Sequence, residues 1–288
     1  MPELPEVEVV KRSLEKKIKN LTIKKVNIRN NKLRYKVNKN IVNKLNEKRL
    51  LSIKRISKYL LFNFNKNISM IAHLGMTGKF FVIDKDNLRH RTSFYYILKK
   101  KEKKHNHLIF EFSKKTKLIY NDVRRFGFVK IVNTKNILQD QHIKMLGPDA
   151  LSINFNKYYF KNYLKNKKKS IKNLLMDQKF VSGLGNIYVN EILYYSKISP
   201  KKNINKINEK AIDLIIKNTK KILKNSIKKG GSSIKNFSNA DGKTGDFQQK
   251  FKVYAREGKN CLRLSCEGTI KKTTISNRSS FCCNICQK

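Results

Sequence analysis

The residues best suited to chemistry stand at the amino terminus, Met1-Pro2-Glu3-Leu4-Pro5-Glu6. Removal of Met1, which the small ring of Pro2 favours, leaves Pro2 with a free secondary amine. An amine attacks only when neutral, and an α-amino group titrates near ~8, close to working pH. The positive end of a helix favours the neutral form further. Such an amine can attack a sugar carbon and form a Schiff base. Glu3 and Glu6, three residues apart, share a helix face and place carboxyls for proton transfer beside it. An ordinary helix start also carries proline and acids in its first turn, so this string alone does not separate the two readings.

The second constellation is at the other end. Cys261 and Cys266 are separated by four residues, Cys283 and Cys286 by two, and sixteen residues lie between the pairs. This spacing suits one structural, tetrahedral Zn²⁺ with no open position. All five cysteines fall in the last thirty residues, which favours a metal site over scattered disulfides. Cys282 receives no role. Between the pairs, Thr269 to Ser276 suits a β-hairpin with Arg278 near its end.

Three further stretches carry reactive or recognition groups. Ser57-Lys58-Tyr59 sets a lysine at the start of an apolar strand, where it is either a solvated strand end or a group reaching a phosphate or a reacting sugar. His73-Leu74-Gly75-Met76-Thr77-Gly78 reads as a tight loop with Met76 either at an exposed tip or folded into the core. Asn121 to Gly127 contains Arg124, Arg125 and Phe126. That is the pairing needed to enter a duplex and fill the gap left by an extruded base, though Phe126 in a core is the plainer alternative. Gly183-Leu184-Gly185-Asn186 turns into a helix and offers backbone N–H groups to a phosphate, with Asn186 as the expected N-cap.

The elements that must hold these groups follow from patterning. Val7, Val10, Leu14 and Ile18 mark one face of a helix. Short β-type runs then follow at 21–23, 26–28, 51–53, 59–64, 68–71, 80–83, 94–98, 108–112 and 118–120, separated by polar turns, with a charged loop at 99–104. Many short strands after one helix suggest a β-sandwich or barrel. Leu146-Gly147-Pro148 breaks the chain. Helices are expected at 171–177, at 187–197 before Pro200, and through Ala211, Leu214, Ile215, Ile222 and Leu223 up to Gly230-Gly231. Ser232 to Phe247 reads as a mobile loop. The chain of 288 residues has 66 Lys+Arg against 20 Asp+Glu, a formal net charge of +46. That excess favours a polyanionic partner, although Lys, Asn and Ile are abundant everywhere and part of the charge reflects drift in composition. There is neither an apolar run of about eighteen residues nor a signal peptide, so a cytoplasmic protein without a membrane partner is expected.

Taken together, these segments resemble the bacterial formamidopyrimidine-DNA glycosylase (Fpg) family. The likeness runs in order through the N-terminal string, Ser57 to Leu60, His73 to Gly78, Lys104-His105-Asn106-His107 and Arg124 to Gly127. It continues through Leu146 to Pro148, Leu175-Met176-Asp177, Gly183 to Glu191, Asp241-Gly242-Lys243, Val253 to Arg256 and the four-cysteine tail. It implies an α+β multidomain fold. An N-terminal β-sandwich with its helix would span 1–135, a linker 136–150, a helix–two-turn–helix domain 151–248 and a zinc-finger β-hairpin 249–288, with duplex DNA bound in the cleft between domains. By position it makes Pro2 the Schiff-base nucleophile and Glu3 the acid at the deoxyribose ring oxygen. Lys58 becomes a proton donor in β-elimination and a phosphate contact, and Arg278 the finger arginine of δ-elimination. Met76, Arg124 and Phe126 become the void-filling trio, and His105, Lys167 and Asn186 backbone contacts. Glu191 matches a family acid near the lesion. The chain departs from the family pattern in its wider first cysteine pair, in Val123 for a usual proline, in Ala255 for a usual glycine and in Asn106 for a usual aspartate. The expected activity is a monomeric, bifunctional glycosylase and AP lyase acting on oxidised purines. The alternatives are an endonuclease VIII-like specificity for oxidised pyrimidines and an inactive DNA-binding relic. Leu4 and the trio favour the first, and intact Pro2, Glu3 and Lys58 disfavour the relic.

Overall fold

The computed structural model of the chain describes residues 2–86, 88–92, 102–164, 168–232 and 251–288. The expected strand at 94–98, Lys167, the Asp241-Gly242-Lys243 segment and most of the expected 232–247 loop lie outside them. The chain divides into two compact units, residues 1–144 with 230–246, and residues 145–229 with 247–288. The stretches expected as separate domains, 151–248 and 249–288, therefore lie mostly within one unit.

In the first unit, α1 (Leu4–Ile18) buries Val7, Val10, Leu14 and Ile18, the stripe expected from their spacing, and Leu4 with them. Burying each such aliphatic side chain contributes about 1.5–3 kcal/mol. The apolar runs that follow resolve into nine described strands: β1 (Ile23–Ile28), β2 (Leu50–Ile56), β3 (Tyr59–Phe64), β4 (Ile68–His73), β5 (Gly78–Ile83), β6 (Arg89–Arg91), β7 (Asn106–Phe112), β8 (Lys117–Asp122) and β9 (Phe128–Asn133). The runs at 21–23 and 26–28 are one strand, and a short helix, α2 (Ile41–Leu45), follows it. The strands form two antiparallel sheets, ordered β1-β7-β8-β5-β6 and β2-β3-β4-β9. Their inner faces share one core with α1, in which the Phe62 and Phe80 rings of opposite sheets lie 5.5 Å apart. This is the β-sandwich with an N-terminal helix.

The second unit contains α3 (Lys157–Leu164), α4 (Ile171–Met176), α5 (Asn186–Tyr195), α6 (Glu209–Lys228) and the hairpin β10 (Ile270–Ile275) and β11 (Arg278–Cys283). Three local expectations shift. Gly185, not Asn186, is the N-cap of α5, so Asn186 is the first helical residue. The buried stripe of α6 is Ile212, Ile215, Thr219, Ile222, Leu223, Ser226 and Ile227, whereas Leu214 is 45% exposed. Ile215, Ile222 and Leu223 are buried as expected, whereas Ala211 gives way to Ile212, and two polar residues complete the stripe, Ser226 being matched by the Tyr188 hydroxyl at 2.6 Å. The hairpin runs to Cys283 rather than ending at Ser276. Ser276 and Asn277 form its two-residue turn, both with positive φ, as tight hairpins favour. Arg278 thus opens the second strand.

Candidate functional site

The N-terminal end of α1 is held by reciprocal capping. The Glu3 side chain accepts the Glu6 N–H, and Glu6 Oε2 accepts the Glu3 N–H at 2.9 Å. Such a box satisfies two orphan donors of the first turn. Glu6 does more: its Oε1 accepts both the N–H and the hydroxyl of Ser232, each at 2.8 Å. Glu3 and Glu6 are 3% and 2% exposed, and Pro2 is buried beside them. Ser232, 226 residues away in sequence, carries no signal that links it to the terminus.

Lys58 lies in the two-residue turn between β2 and β3, after Ser57 at φ 55°. It is 6% exposed, so it is not a solvated strand end. Arg55 anchors this turn: its Nη1 donates to the Ser57 carbonyl and its Nε to Glu8 Oε2 on α1, both at 2.9 Å. Arg55 and Arg12 hold the Glu8 carboxyl below its ordinary range, overcoming the upward push of burial. The lysine-bearing turn is thereby tied to the helix that begins with Pro2 and Glu3.

The two loops expected to meet DNA run side by side. Residues 74–77 cross from β4 to β5 and residues 123–127 from β8 to β9, and β4 pairs with β9 as β5 pairs with β8. Met76 and Phe126 are 38% and 45% exposed, which removes the core alternative for both. The Arg124 guanidinium lies over the Phe126 ring, 4.5 Å from its centroid. Gly75 has φ 59°, and a Cβ there would stand 2.5 Å from the Gly127 nitrogen, so only glycine fits. The Gly75 N–H donates to His73 Nδ1 at 3.1 Å. Burial and the charges of Lys58, Arg34 and His142 push His73 down to about 4, which keeps that nitrogen an acceptor. His105 is half-buried at the end of a 3₁₀ turn, Glu102–His105, that begins in the expected charged loop.

In the second unit the finger hairpin is pinned to two helices. Lys172 Nζ donates to the Ser279 carbonyl at 2.9 Å and to Ser280 Oγ at 2.6 Å. Asn186 Nδ2 donates to the same carbonyl at 3.0 Å, and Asn190 Oδ1 accepts the Phe281 N–H at 2.8 Å. Lys172 is 1% exposed, and burial with the neighbouring Arg278 charge brings its ammonium down to about 8. A lysine on the buried face of α4, among Ile171, Leu174 and Leu175, is the signal that sequence reading passed over. Arg278 itself is exposed. Glu191 is 2% exposed, and its oxygens accept the N–H groups of Lys252, Val253 and Tyr254 at 2.9, 3.0 and 2.9 Å. Burial pushes its carboxyl above the ordinary range, and these three donors offset that only in part.

The sulfur atoms of Cys261, Cys266, Cys283 and Cys286 all lie within 4.8 Å of one another, so this cluster can hold a metal ion. Cys261 and Cys286 are 3.8 Å apart and Cys266 and Cys283 3.6 Å apart. The wider first pair still closes on the second: Ser265, at φ 56°, turns the chain back toward the cluster. No helix among the described residues is long and apolar enough to cross a membrane.

A β-sandwich headed by a capped helix, joined to a helical unit with a cysteine-clustered hairpin, is an architecture with known relatives. The formamidopyrimidine-DNA glycosylase N-terminal domain matches residues 1–129, and the formamidopyrimidine-DNA glycosylase H2TH domain matches residues 146–238. The formamidopyrimidine-DNA glycosylase of Rickettsia bellii is 42% identical over 288 residues, covering all of both chains. That of Rickettsia felis is 40% identical, covering all of this chain and 98% of its own. A mutant of the Lactococcus lactis FPG complexed with Fapy-dG-containing DNA superposes with a TM-score of 0.86 at 34% identity over the whole of both chains. The Lactococcus lactis Fpg complex with abasic-site DNA gives 0.85 at 34% identity, covering 99% of each. The chain belongs to the formamidopyrimidine-DNA glycosylase family, the Fpg-type DNA glycosylases of base excision repair, as its motifs had implied.

Proposed function

We propose that the chain is a bifunctional DNA glycosylase and AP lyase that removes oxidised purines, such as 8-oxoguanine and formamidopyrimidines, from duplex DNA. The observation that carries this reading is the buried N-terminal Pro2-Glu3 pair, capped through Glu6 and tied through Arg55 to the turn that presents Lys58. The damaged nucleotide is extruded from the stack, with Met76, Arg124 and Phe126 entering the void. The neutral Pro2 nitrogen attacks C1′, a new C–N bond forms, and the bond from C1′ to the base breaks as the base leaves with its electron pair and takes up the proton that the Pro2 nitrogen gives up. Glu3 protonates the ring oxygen as the sugar opens, leaving a cationic imine. The imine acidifies the C2′ proton. Its loss expels the 3′ phosphate by β-elimination, and a further elimination expels the 5′ phosphate. Lys58 supplies a proton in the first of these steps, and Arg278 grips phosphate for the second. Asn186, His105 and Lys167 contact the backbone, and Glu191 braces the segment behind the finger.

The four cysteines fit Zn²⁺. Bonds of ~2.3 Å to a tetrahedral zinc space the sulfur atoms by ~3.8 Å, close to the separations in the cluster. Zinc there supplies folding energy and no reacting group. The chain acts as a monomer. The neighbouring Lactococcus lactis complex with oxidized pyrimidine-containing DNA keeps a second specificity in view. Excision of thymine glycol faster than 8-oxoguanine opposite cytosine would establish it.

The test is borohydride trapping on duplex DNA carrying one 8-oxoguanine opposite cytosine, with wild type and Pro2→Gly side by side. A covalent adduct with wild type alone is expected. Equal trapping by Pro2→Gly would refute the nucleophile, and no adduct from zinc-loaded, Met1-processed wild type would refute the substrate.

A further inference from the structure

The loops bearing Met76 and Phe126 expose large apolar side chains, yet each is only a few residues long and has no core of its own. Both start from the last rungs of paired strands, His73 opposite Phe128 and Gly78 opposite Asp122. Asp122 is fully buried at that rung. Its Oδ1 accepts the Thr77 hydroxyl at 2.5 Å, and its Oδ2 accepts the Gly127 N–H at 2.8 Å. The Thr77 oxygen in turn accepts the Arg124 N–H at 2.9 Å. One carboxylate therefore fastens the 74–77 loop directly, the far end of the 123–127 loop directly, and its near end through Thr77. Tyr120 reaches the same Oδ2 and the His73 carbonyl, each at 3.4 Å.

We propose that Thr77 and Asp122 are positioning residues that hold Met76, Arg124 and Phe126 as a single wedge, so that the three side chains enter the base stack together. The inference rests on the void-filling reading given under the proposed function. Its physical basis is that an inserted wedge repays the cost of unstacking only if its side chains arrive in a fixed arrangement. Both residues act through the two loops and take no step at the sugar. Their contribution therefore belongs to opening the duplex and filling the gap, and the eliminations that follow do not draw on it.

The experiment compares Thr77→Val, which keeps shape and loses the hydroxyl, with Thr77→Ser, which keeps the hydroxyl. Single-turnover excision is measured on an 8-oxoguanine·cytosine duplex. Strand cleavage is measured at a preformed abasic site in single-stranded DNA, which has no stack to open. Two hydrogen bonds of ordinary strength, at about 1 kcal/mol each, correspond to about thirtyfold in rate. Thr77→Val is expected to lose about thirtyfold more on the duplex than on the single strand, and Thr77→Ser to recover most of it. Because Thr77 acts through the wedge, adding Thr77→Val to Met76→Ala should cost far less than it does in wild type. Asp122→Asn, assayed well below the onset of its own melting, should reproduce the duplex-selective loss. Equal losses on both substrates, additive effects with Met76→Ala, or no loss would overturn the proposal while leaving the enzyme reading intact. A wild type that excises no oxidised base would overturn both.

Discussion

Replacing Glu191 tests whether this acid meets DNA or builds the scaffold behind the finger. Its two oxygens take three backbone N–H groups, from Lys252, Val253 and Tyr254, at 2% exposure. In Glu191→Gln the carbonyl oxygen can keep Val253 and Tyr254, the pair on Oε1, but the amide NH₂ then faces the Lys252 N–H. One buried donor is orphaned, at about 1–3 kcal/mol, and the two that remain lose charge assistance. The sum is about 2–4 kcal/mol. Glu191→Ala orphans all three donors and should cost more than about 4 kcal/mol. At ~2–4 °C per kcal/mol for a chain of this size, Glu191→Gln should melt roughly 5–15 °C early. The assay is thermal denaturation followed by circular dichroism, with metal release read in parallel, since the 252–254 segment leads into the finger that begins at Cys261. A contribution made only to DNA contact would leave the melting curve in place and lower affinity alone. A Glu191→Gln midpoint within ~2 °C of wild type would refute the scaffold argument.

Elemental analysis should find one zinc per chain, and Cys266→Ser or strong chelation should lower the melting temperature and weaken DNA binding together; a metal-free protein with full stability would contradict this. Ala255 sits at φ 57°, where a Cβ is disfavoured by ~1–2 kcal/mol, partly offset by the greater unfolded freedom of glycine. Ala255→Gly should therefore stabilise the chain by up to ~1 kcal/mol in urea denaturation, and a loss would refute the strain. His73 titrates at about 4 in the fold against 6.5 when free. Between those values the unfolded chain takes up the proton first, so stability falls as pH drops from 6.5 toward 4, by about 3 kcal/mol in total. His73→Gln should flatten that part of the pH–stability curve, and an unchanged slope would assign it to other groups. DNA affinity should fall steeply with salt, because phosphate contacts release counterions; a flat response would exclude backbone-dominated binding.

The features legible in the amino-acid sequence are local or periodic. The α1 stripe Val7, Val10, Leu14 and Ile18 follows from one helical period, and the strands of the sandwich from alternation between turn residues. The four-cysteine cluster follows from two short spacings, and the family from motifs that keep their order along the chain. The remaining features depend on groups distant in sequence that folding brings together. Local sequence leaves Lys58 open between a solvated strand end and a group aimed at a substrate, and the burial of its turn against α1 through Arg55 and Glu8 removes the first. In α6 the period finds Ile215, Ile222 and Leu223 but not Thr219 and Ser226, because Tyr188 offers Ser226 a partner and apolar period cannot register a satisfied hydroxyl. Asn186 resembles an N-cap by type, but its side chain is taken by the Ser279 carbonyl. Glu191, Lys172, Ser232 and the Thr77–Asp122 pair find their partners 45 to 226 residues away. Period and propensity report how a residue relates to its near neighbours, whereas a buried hydrogen bond depends on which distant backbone the fold brings within about 3 Å.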